Sequence, residues 1–296
     1  MTILVIGSNG QLGWELCRQG VSHGYTIMPV DIPEFDITDP RIVTTTLDNS
    51  SISLLVNASA YTDVDRAESE SDKAFAINRD GPAHVARACA ERNIPLIHIS
   101  TDYVFDGSKG AAYKETDSVS PLGVYGESKA AGEEEVREHL TYHIIIRTAW
   151  LYGVHGNNFV KTMLRLGGER EKLRVVADQY GCPTYAADLA GAILAIAERI
   201  KQYRSVRWGT YHYCGRGVTT WHGLAEKTIE LAKRYEPLMV QEVEAITTAD
   251  YPTPAKRPAY SVLDCTLMEH HFGVIRPLWE ESLSDMIERL LGSHLK

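Results

Sequence analysis

Short β-branched runs alternate with longer amphipathic stretches through the first half of the chain, and this alternation constrains the fold more than any other feature. Ile3–Gly7, Thr26–Asp31, Leu54–Ser59, Pro95–Thr101 and His143–Trp150 read as strands. Between them lie helix-like segments. The clearest, residues 72–93, carries Ala74, Ile77, Val85, Ala88 and Cys89, with Pro82 either interrupting it or opening a second helix. Strands separated by helices of this length imply a parallel sheet covered by helices, an α/β fold of the doubly wound Rossmann type. The second half is mixed. It offers a helix at 158–168, a strand at 173–178, a helix at 186–201, a strand at 210–214, a helix at 220–235, a proline-rich YPTPAKRPAYS stretch and a closing helix near 279–291. Residues 1–150 are therefore expected to form the nucleotide-binding domain, with segments of about 173–210 returning to it. Residues 151–296 are expected to be mainly a smaller mixed α/β substrate lobe. No internal repeat or flexible linker separates the two, so they should share one body.

Gly7, Gly10 and Gly13 follow the first strand and open a helix. That is where a dinucleotide pyrophosphate meets the unpaired N–H groups of a helix N-terminus. Their spacing is G-x-x-G-x-x-G. A glycine trio alone also fits a tight turn; the strand before it and the helix after it favour the nucleotide. Asp31 ends the second strand eighteen residues beyond Gly13, near the position of an acidic residue that accepts hydrogen bonds from an adenosine ribose. This favours NAD over NADP and leaves either nicotinamide cofactor open; the alternative is a strand-end aspartate capping a turn before Pro33. Asp36 and Ile37 are placed to flank the adenine, or Asp36 to cap its own loop.

The 296 residues, 44% hydrophobic and 23% charged, suffice for a large core. No apolar run approaches the roughly 20 residues that span a bilayer, and Met1-Thr2 leads directly into the first strand, so a cytoplasmic protein with no membrane partner is expected. The net charge of −9 argues against nucleic acid as a partner, because such binders gain affinity from clustered cations. It does not exclude a nucleotide, which needs only local donors. The five cysteines, Cys17, Cys89, Cys182, Cys214 and Cys265, never occur as C-x-x-C and read as reduced packing thiols.

Tyr125 and Lys129 stand four residues apart, downstream of Ser100-Thr101-Asp102 at the end of the fourth strand. A carbonyl that accepts hydride develops alkoxide charge, and a tyrosine hydroxyl can supply the proton. Lys129, one helical turn away, would lower the phenol's pKa and hold a cofactor ribose. Thr101 would orient the carbonyl. An isolated pair at this spacing is usually two solvated side chains; its place at the carboxyl edge of the sheet, where ligands bind in such folds, is what gives it weight. No Gly-x-Ser-x-Gly elbow is present, His270-His271 lacks a metal-ligand pattern, and the carboxylates of AESES read as a solvated helix start.

With these motifs the chain resembles the extended short-chain dehydrogenase/reductases. NASAYTDVDRAES, HISTDYVFDG, SPLGVYGESKAAGE, IIIRTAWLYG, NNFVKTML, DQYGCPT and YPTPAKRPAYS narrow the resemblance, across nearly the whole chain, to the dTDP-4-dehydrorhamnose reductase family. That resemblance implies reduction of the C4 ketone of dTDP-4-dehydro-L-rhamnose by NADPH or NADH, giving dTDP-L-rhamnose for cell-surface polysaccharide. Tyr125 would be the proton donor, assisted by Lys129 and Thr101. Gly10, Gln11, Leu12, Asp31, Asp36, Ile37, Ala60, Tyr61 and Thr62 would line the cofactor; Asp102, Tyr103 and Trp150 the sugar nucleotide. Arg257 is taken as a diphosphate contact, against a solvated surface arginine.

Some members of the family bind Mg²⁺ at a dimer interface through the glutamate of the GWEL segment and carboxylates after the PT motif. Glu15 is present, but PTYAADLAG offers only Asp188 beside Ala186, Ala187, Ala190 and Gly191. A monomer or a homodimer built otherwise is therefore the expectation, with Glu15 as the one metal-ligand candidate. Two rivals remain. One is an NDP-sugar epimerase or dehydratase of the same fold, disfavoured by Asp102-Tyr103 where a dehydratase more often carries Asp-Glu. The other is a non-catalytic nucleotide-binding regulator, which would be free to lose the Tyr/Lys pair.

Overall fold

The computed structural model describes residues 1–48, 51–202 and 206–292. β1 (Thr2–Ile6) runs through the glycine loop into α1 (Gln11–Ser22), followed by β2 (Thr26–Val30), α2 (Pro40–Asp48) and β3 (Leu54–Asn57). Next come α3 (Val64–Ala67), α4 (Ser71–Phe75), α5 (Gly81–Arg92) and β4 (Leu96–Thr101), then α6 (Val124–His139) and β5 (His143–Thr148). The second half adds the short β6 (Leu151–Tyr152), α7 (Phe159–Glu169), β7 (Lys172–Val176), β8 (Tyr180–Gly181), β9 (Thr184–Tyr185) and α8 (Ala186–Gln202). It ends with β10 (Gly209–His212), β11 (Thr219–Thr220), α9 (Trp221–Ala232), β12 (Glu242–Ile246), α10 (Thr266–Phe272) and α11 (Trp279–Leu291).

Six strands form one parallel sheet in the order β10-β5-β4-β3-β1-β2. Side chains alternate across it with period two. Ile3, Val5, Leu54, Val56, Ile97, Ile144 and Ile146 point to the face covered by α1 and α8, and Leu4, Ile6, Leu55, Leu96 and Ile145 to the face covered by α2, α5 and α6. Helices on both faces explain why the strands read as continuous apolar runs. Burying each aliphatic chain contributes roughly 1.5–3 kcal/mol.

Three expectations change. The strand expected at 210–214 in the smaller lobe is instead the edge strand of the main sheet, parallel to β5, because Tyr211 and Tyr213 belong to the apolar cluster under α8. Of the stretch 173–210 expected to return to the nucleotide-binding half, α8 packs on α1, whereas β7 pairs with β12 in a separate two-stranded sheet. The long helix expected over 72–93 is α4 and α5 joined by π-helical residues Ala76–Asp80, just before Pro82, which has no N–H to continue an i→i−4 ladder. The π segment presents Asn78, which is buried. Its Oδ1 accepts the Tyr61 N–H at 2.8 Å, and its Nδ2 donates to the Tyr61 carbonyl at 3.1 Å and the Ser128 hydroxyl at 3.0 Å. One amide thereby ties the loop after β3 to α6. Around α7, α9 and α11 a further core forms from Tyr152, Tyr185, Leu224, Leu231, Trp279, Leu283 and Met286. Among the described residues no helix is long and apolar enough to cross a membrane.

Candidate active site

The glycine loop is set by steric need. Gly7 sits at φ +80°, and a Cβ there would lie 2.7 Å from Ser59 N; a Cβ on Gly13 would lie 2.0 Å from the Gly7 carbonyl oxygen. Gly10 is the N-cap of α1 and brings no side chain to cap it, so the first-turn N–H groups stay available to an anion. Asp31 stands just past β2. Its Oδ2 accepts the Asn9 N–H at 2.7 Å and its Oδ1 the Ile32 N–H at 2.8 Å, so this carboxylate also braces the loop. Asp36 accepts from Thr38 N at 2.9 Å and Thr38 Oγ1 at 2.7 Å, which makes it a loop cap as well.

A cavity of about 840 Å³ runs from this loop to the carboxyl end of β4. Gly7, Gly10, Gln11, Leu12, Asp31, Asp36, Ile37, Ala60 and Thr62 line it, as do Thr101, Asp102, Tyr103, Tyr125, Lys129 and Trp150. Four sequence candidates stand apart from this lining. Gly13 packs α1 against the loop. Tyr61 turns into a small core with Ala67 and Ala74 and donates its hydroxyl to Glu70 at 3.1 Å. Arg257 is half-buried and paired with Asp65 at 2.7 and 3.1 Å, beside the cavity-lining Val64. Glu15 is discussed below.

α6 carries the tyrosine and lysine. Glu68, read from sequence as part of a solvated helix start, is exposed just before α4 and also accepts the Val124 N–H at 3.0 Å, so capping α6 from another segment. One turn in, Lys129 is 2% exposed and donates to the Ile99 carbonyl at 2.7 Å. Burial lowers its ammonium to about 8, with the charge of Glu133 opposing that fall. The expected lysine-depressed phenol is not what the fold produces. Burial pushes Tyr125 up to about 12, against the Thr101 hydroxyl and with Asp102 adding to the rise, and Lys129 donates to the Ile99 carbonyl. At neutral pH Tyr125 is therefore fully protonated, the form a proton donor needs. Tyr103 packs edge-on to it, centroids 5.4 Å apart. Thr101 Oγ1 accepts the Tyr103 N–H at 3.2 Å and donates to Asp102 Oδ1. Burial, partly offset by hydrogen bonding that includes the Thr101 hydroxyl, raises Asp102 to about 6.

The second half contributes lining that sequence reasoning did not place. Asn158 caps α7 by accepting the Lys161 N–H at 3.0 Å. Its Nδ2 donates to Gln11 Oε1 at 2.9 Å and the Gly153 carbonyl at 2.8 Å, fastening the 153–158 loop over the glycine loop. An asparagine before an amphipathic run is an N-cap signal, but nothing local reveals the contact to Gln11. Trp150 adopts φ +48° and stacks on Trp221, centroids 3.7 Å apart and planes within 11°. Trp221 carries no sequence signal for this.

Glu15 is ion-paired within the chain. Its Oε2 accepts from Arg18 Nε at 3.0 Å and Nη2 at 2.8 Å, its Oε1 from Arg289 Nη2 at 3.1 Å, and Asp188 accepts from Ser282. Two guanidinium groups thus meet the Glu15 carboxylate, and among the described residues no group of three or more His, Cys, Asp or Glu is arranged to hold a metal.

A parallel six-stranded sheet with a glycine loop after β1 and the Thr101, Tyr125 and Lys129 side chains at one end of the same cavity defines an extended short-chain dehydrogenase/reductase. A family model described as the RmlD substrate binding domain matches residues 1–291. The chain is 44% identical over 286 residues to the dTDP-4-dehydrorhamnose reductase of Aggregatibacter actinomycetemcomitans, covering 96% of this chain and 97% of that one. It superposes on the crystal structure of a dTDP-4-dehydrorhamnose reductase from Clostridium acetobutylicum with a TM-score of 0.92 at 38% identity, covering 98% and 99% of the two chains. For the Bacillus anthracis dTDP-4-dehydrorhamnose reductase in complex with NADP the TM-score is 0.90 at 38% identity, with 97% and 99% covered. The chain belongs to the dTDP-4-dehydrorhamnose reductase family.

Proposed function

We infer that this chain reduces the C4 ketone of dTDP-4-dehydro-L-rhamnose to give dTDP-L-rhamnose. The observation that carries the reading is that Thr101, Tyr125 and Lys129 line one end of a cavity whose other end is the uncapped glycine loop. The residues present fit a nicotinamide dinucleotide: a Cβ would fill the cradle at Gly7 and Gly13, and Asp31 stands where a ribose hydroxyl would find an acceptor. When bound, the reduced cofactor supplies the hydride. The chain supplies everything else. Tyr125 donates its phenolic proton to the C4 oxygen as negative charge develops there, worth typically 10²–10⁴ in rate. Thr101 orients that oxygen, and Lys129 places a fixed positive charge beneath the site and holds the ribose. Asp102 Oδ2, buried without a hydrogen-bond partner, is available to a sugar hydroxyl. Trp150, braced by Trp221, offers an aromatic wall to the sugar nucleotide. Arg257 reaches the diphosphate by exchanging its Asp65 partner.

The division of labour we propose follows the sheet: residues 1–150 with α8 and β10 hold the cofactor, and the remainder of 151–296 holds the sugar nucleotide. The enzyme works in the cytoplasm, where nucleotide sugars are made, as a monomer or homodimer. Loss of reduced-nicotinamide absorbance tests the reading, with NADPH or NADH, dTDP-4-dehydro-L-rhamnose made by the upstream epimerase, and Tyr125→Phe for comparison. Stoichiometric oxidation by wild type, reduced at least about a hundredfold by the substitution, is expected. No oxidation by folded wild type with verified substrate would overturn it in favour of a tight-cofactor sugar epimerase.

A further inference from the structure

Two cations are buried near the reaction centre, and one buried carboxylate is ion-paired with the first, Arg147, and stands one helical turn from the second, Lys129. Lys129 and Arg147 are each 2% exposed and Glu133 is 0% exposed. Tyr125, Lys129 and Glu133 fall at successive turns of one α6 face. Glu133 is fixed from β5: Arg147 Nε donates to Oε1 at 2.8 Å and Nη2 to Oε2 at 2.7 Å, while Arg137, one turn further along α6, donates to Oε2. Arg147 is itself held in place. Its guanidinium lies 5.1 Å over the Phe105 ring, and Nη1 is 3.4 Å from His212 Nε2. His212 Nδ1 faces the Tyr113 carbonyl at 3.1 Å; a carbonyl can only accept, so Nδ1 carries the hydrogen and Nε2 offers its lone pair to Arg147. Burial lowers His212 to about 4, so this imidazole stays neutral.

We propose that Glu133 is a positioning residue for the reaction: it is the counter-charge that keeps buried Lys129 protonated, and Arg147 fixes it in place. The inference rests on the reductase reading above. Its logic is charge balance. An arginine cannot give up its proton inside a protein, so when a buried lysine and a buried arginine share one anion, loss of that anion falls on the lysine. The other groups around Lys129 do not substitute for Glu133. From β4 it is faced by His98, which burial holds neutral well below its usual range, and by the Ser100 hydroxyl; Asp102 lies beyond Thr101. Asn78, between α4 and α5, and its partner Ser128 on α6 carry no charge. On α6, Tyr125 is protonated and Arg137 adds positive charge. Deprotonated, Lys129 would lose the charge that makes it useful at the site.

The test compares wild type with Glu133→Gln, Arg147→Met and the double variant, following turnover from pH 6 to 10. Glu133→Gln should move the alkaline limb to lower pH by about one unit or more, and Arg147→Met, which leaves the carboxylate unshared with β5, should move it the other way. The double variant, without either buried partner charge, should lie between the single variants, and it keeps the comparison available if Arg147→Met alone fails to fold. The ¹³Cε resonance of Lys129, assigned with Lys129→Met, should titrate with the same order of shifts and does not depend on turnover. Rates that fall equally at all pH values, with an unmoved Lys129 titration in Glu133→Gln and in the double variant, would reduce Glu133 to a packing role and overturn the proposal. Absence of turnover in wild type alongside shifted Lys129 titrations would instead count against the reductase reading.

Discussion

Thr101 and Asp102 hydrogen-bond to each other at the carboxyl end of β4, the threonine hydroxyl donating to Asp102 Oδ1 at 3.1 Å, which leaves Oδ2 buried and unpartnered in the substrate cavity. Burying a carboxylate in such a place costs folding energy.

That cost sets a pH signature. The folded-state pKa of Asp102 is raised to about 6, so the stability associated with its protonated form is fully present below the unfolded value and is lost as pH rises through about 6. Asp102→Asn removes the ionisation. The melting temperature of the variant relative to wild type should therefore rise between pH 4 and 8, reaching the equivalent of up to about 3 kcal/mol. Its substrate KM should rise about tenfold because an acceptor is lost. A stability difference flat with pH would mean Asp102 does not titrate in this range.

We propose that Asp31 biases the choice of cofactor. Among the described residues lining the cavity, Lys129 is the one cation, while Asp31, Asp36 and Asp102 are acidic, so a 2′-phosphate finds no partner near Asp31. Wild type should use NADH at least as well as NADPH, and Asp31→Ala should lower the NADH:NADPH ratio of kcat/KM by about tenfold. An unchanged ratio, measured with both cofactors, would confine Asp31 to its bonds with Asn9 and Ile32.

Arg257 and Asp65 form a part-exposed pair, which by itself is worth under about 1 kcal/mol. A charge-assisted contact to a diphosphate is worth about 1.5–3 kcal/mol. Arg257→Ala should therefore raise the substrate KM about tenfold or more with little change in melting temperature. A small loss of stability with KM unchanged would confine Arg257 to its contacts with Asp65, Thr253 and the Ala255 carbonyl.

Glu15 is saturated by Arg18 and Arg289, so a chelator should change neither turnover nor sedimentation, and added Mg²⁺ should not restore anything. Glu15→Gln removes the charge those guanidinium groups meet in a buried position and should cost about 1–3 kcal/mol in denaturant unfolding. Loss of activity on chelation, reversed by Mg²⁺, would place a cation where these contacts leave no room.

What could be read in the sequence was what local chemistry dictates. Ile3–Gly7 and the glycines after it announce a strand, a tight turn and a helix N-terminus, because apolar runs and missing Cβ atoms act within a few residues. Tyr125 and Lys129 are one helical turn apart by spacing alone, and Thr101 ends a strand whose apolar run is plain. Asp31 and Asp36, read from their place after the second strand, line the cavity, as does Trp150, which the family resemblance supplied.

Other features exist only through contacts between distant segments. β10 joins the main sheet because Tyr211 and Tyr213 fit beneath α8, which a local pattern does not state. Tyr61 faces a side core because Asn78, on a π segment formed beside Pro82, fixes its backbone. Trp221 reaches Trp150, and Asn158 reaches Gln11, only after the second half folds back over the sheet. Arg147 and Glu133 likewise meet across β5 and α6. The sequence by itself determined the architecture of the nucleotide half and the acid–base pair, since both follow from spacing along one strand or helix. The tertiary structure alone decided which charges share a buried environment, because desolvation and Coulomb interaction depend on distance in space and not on separation along the chain.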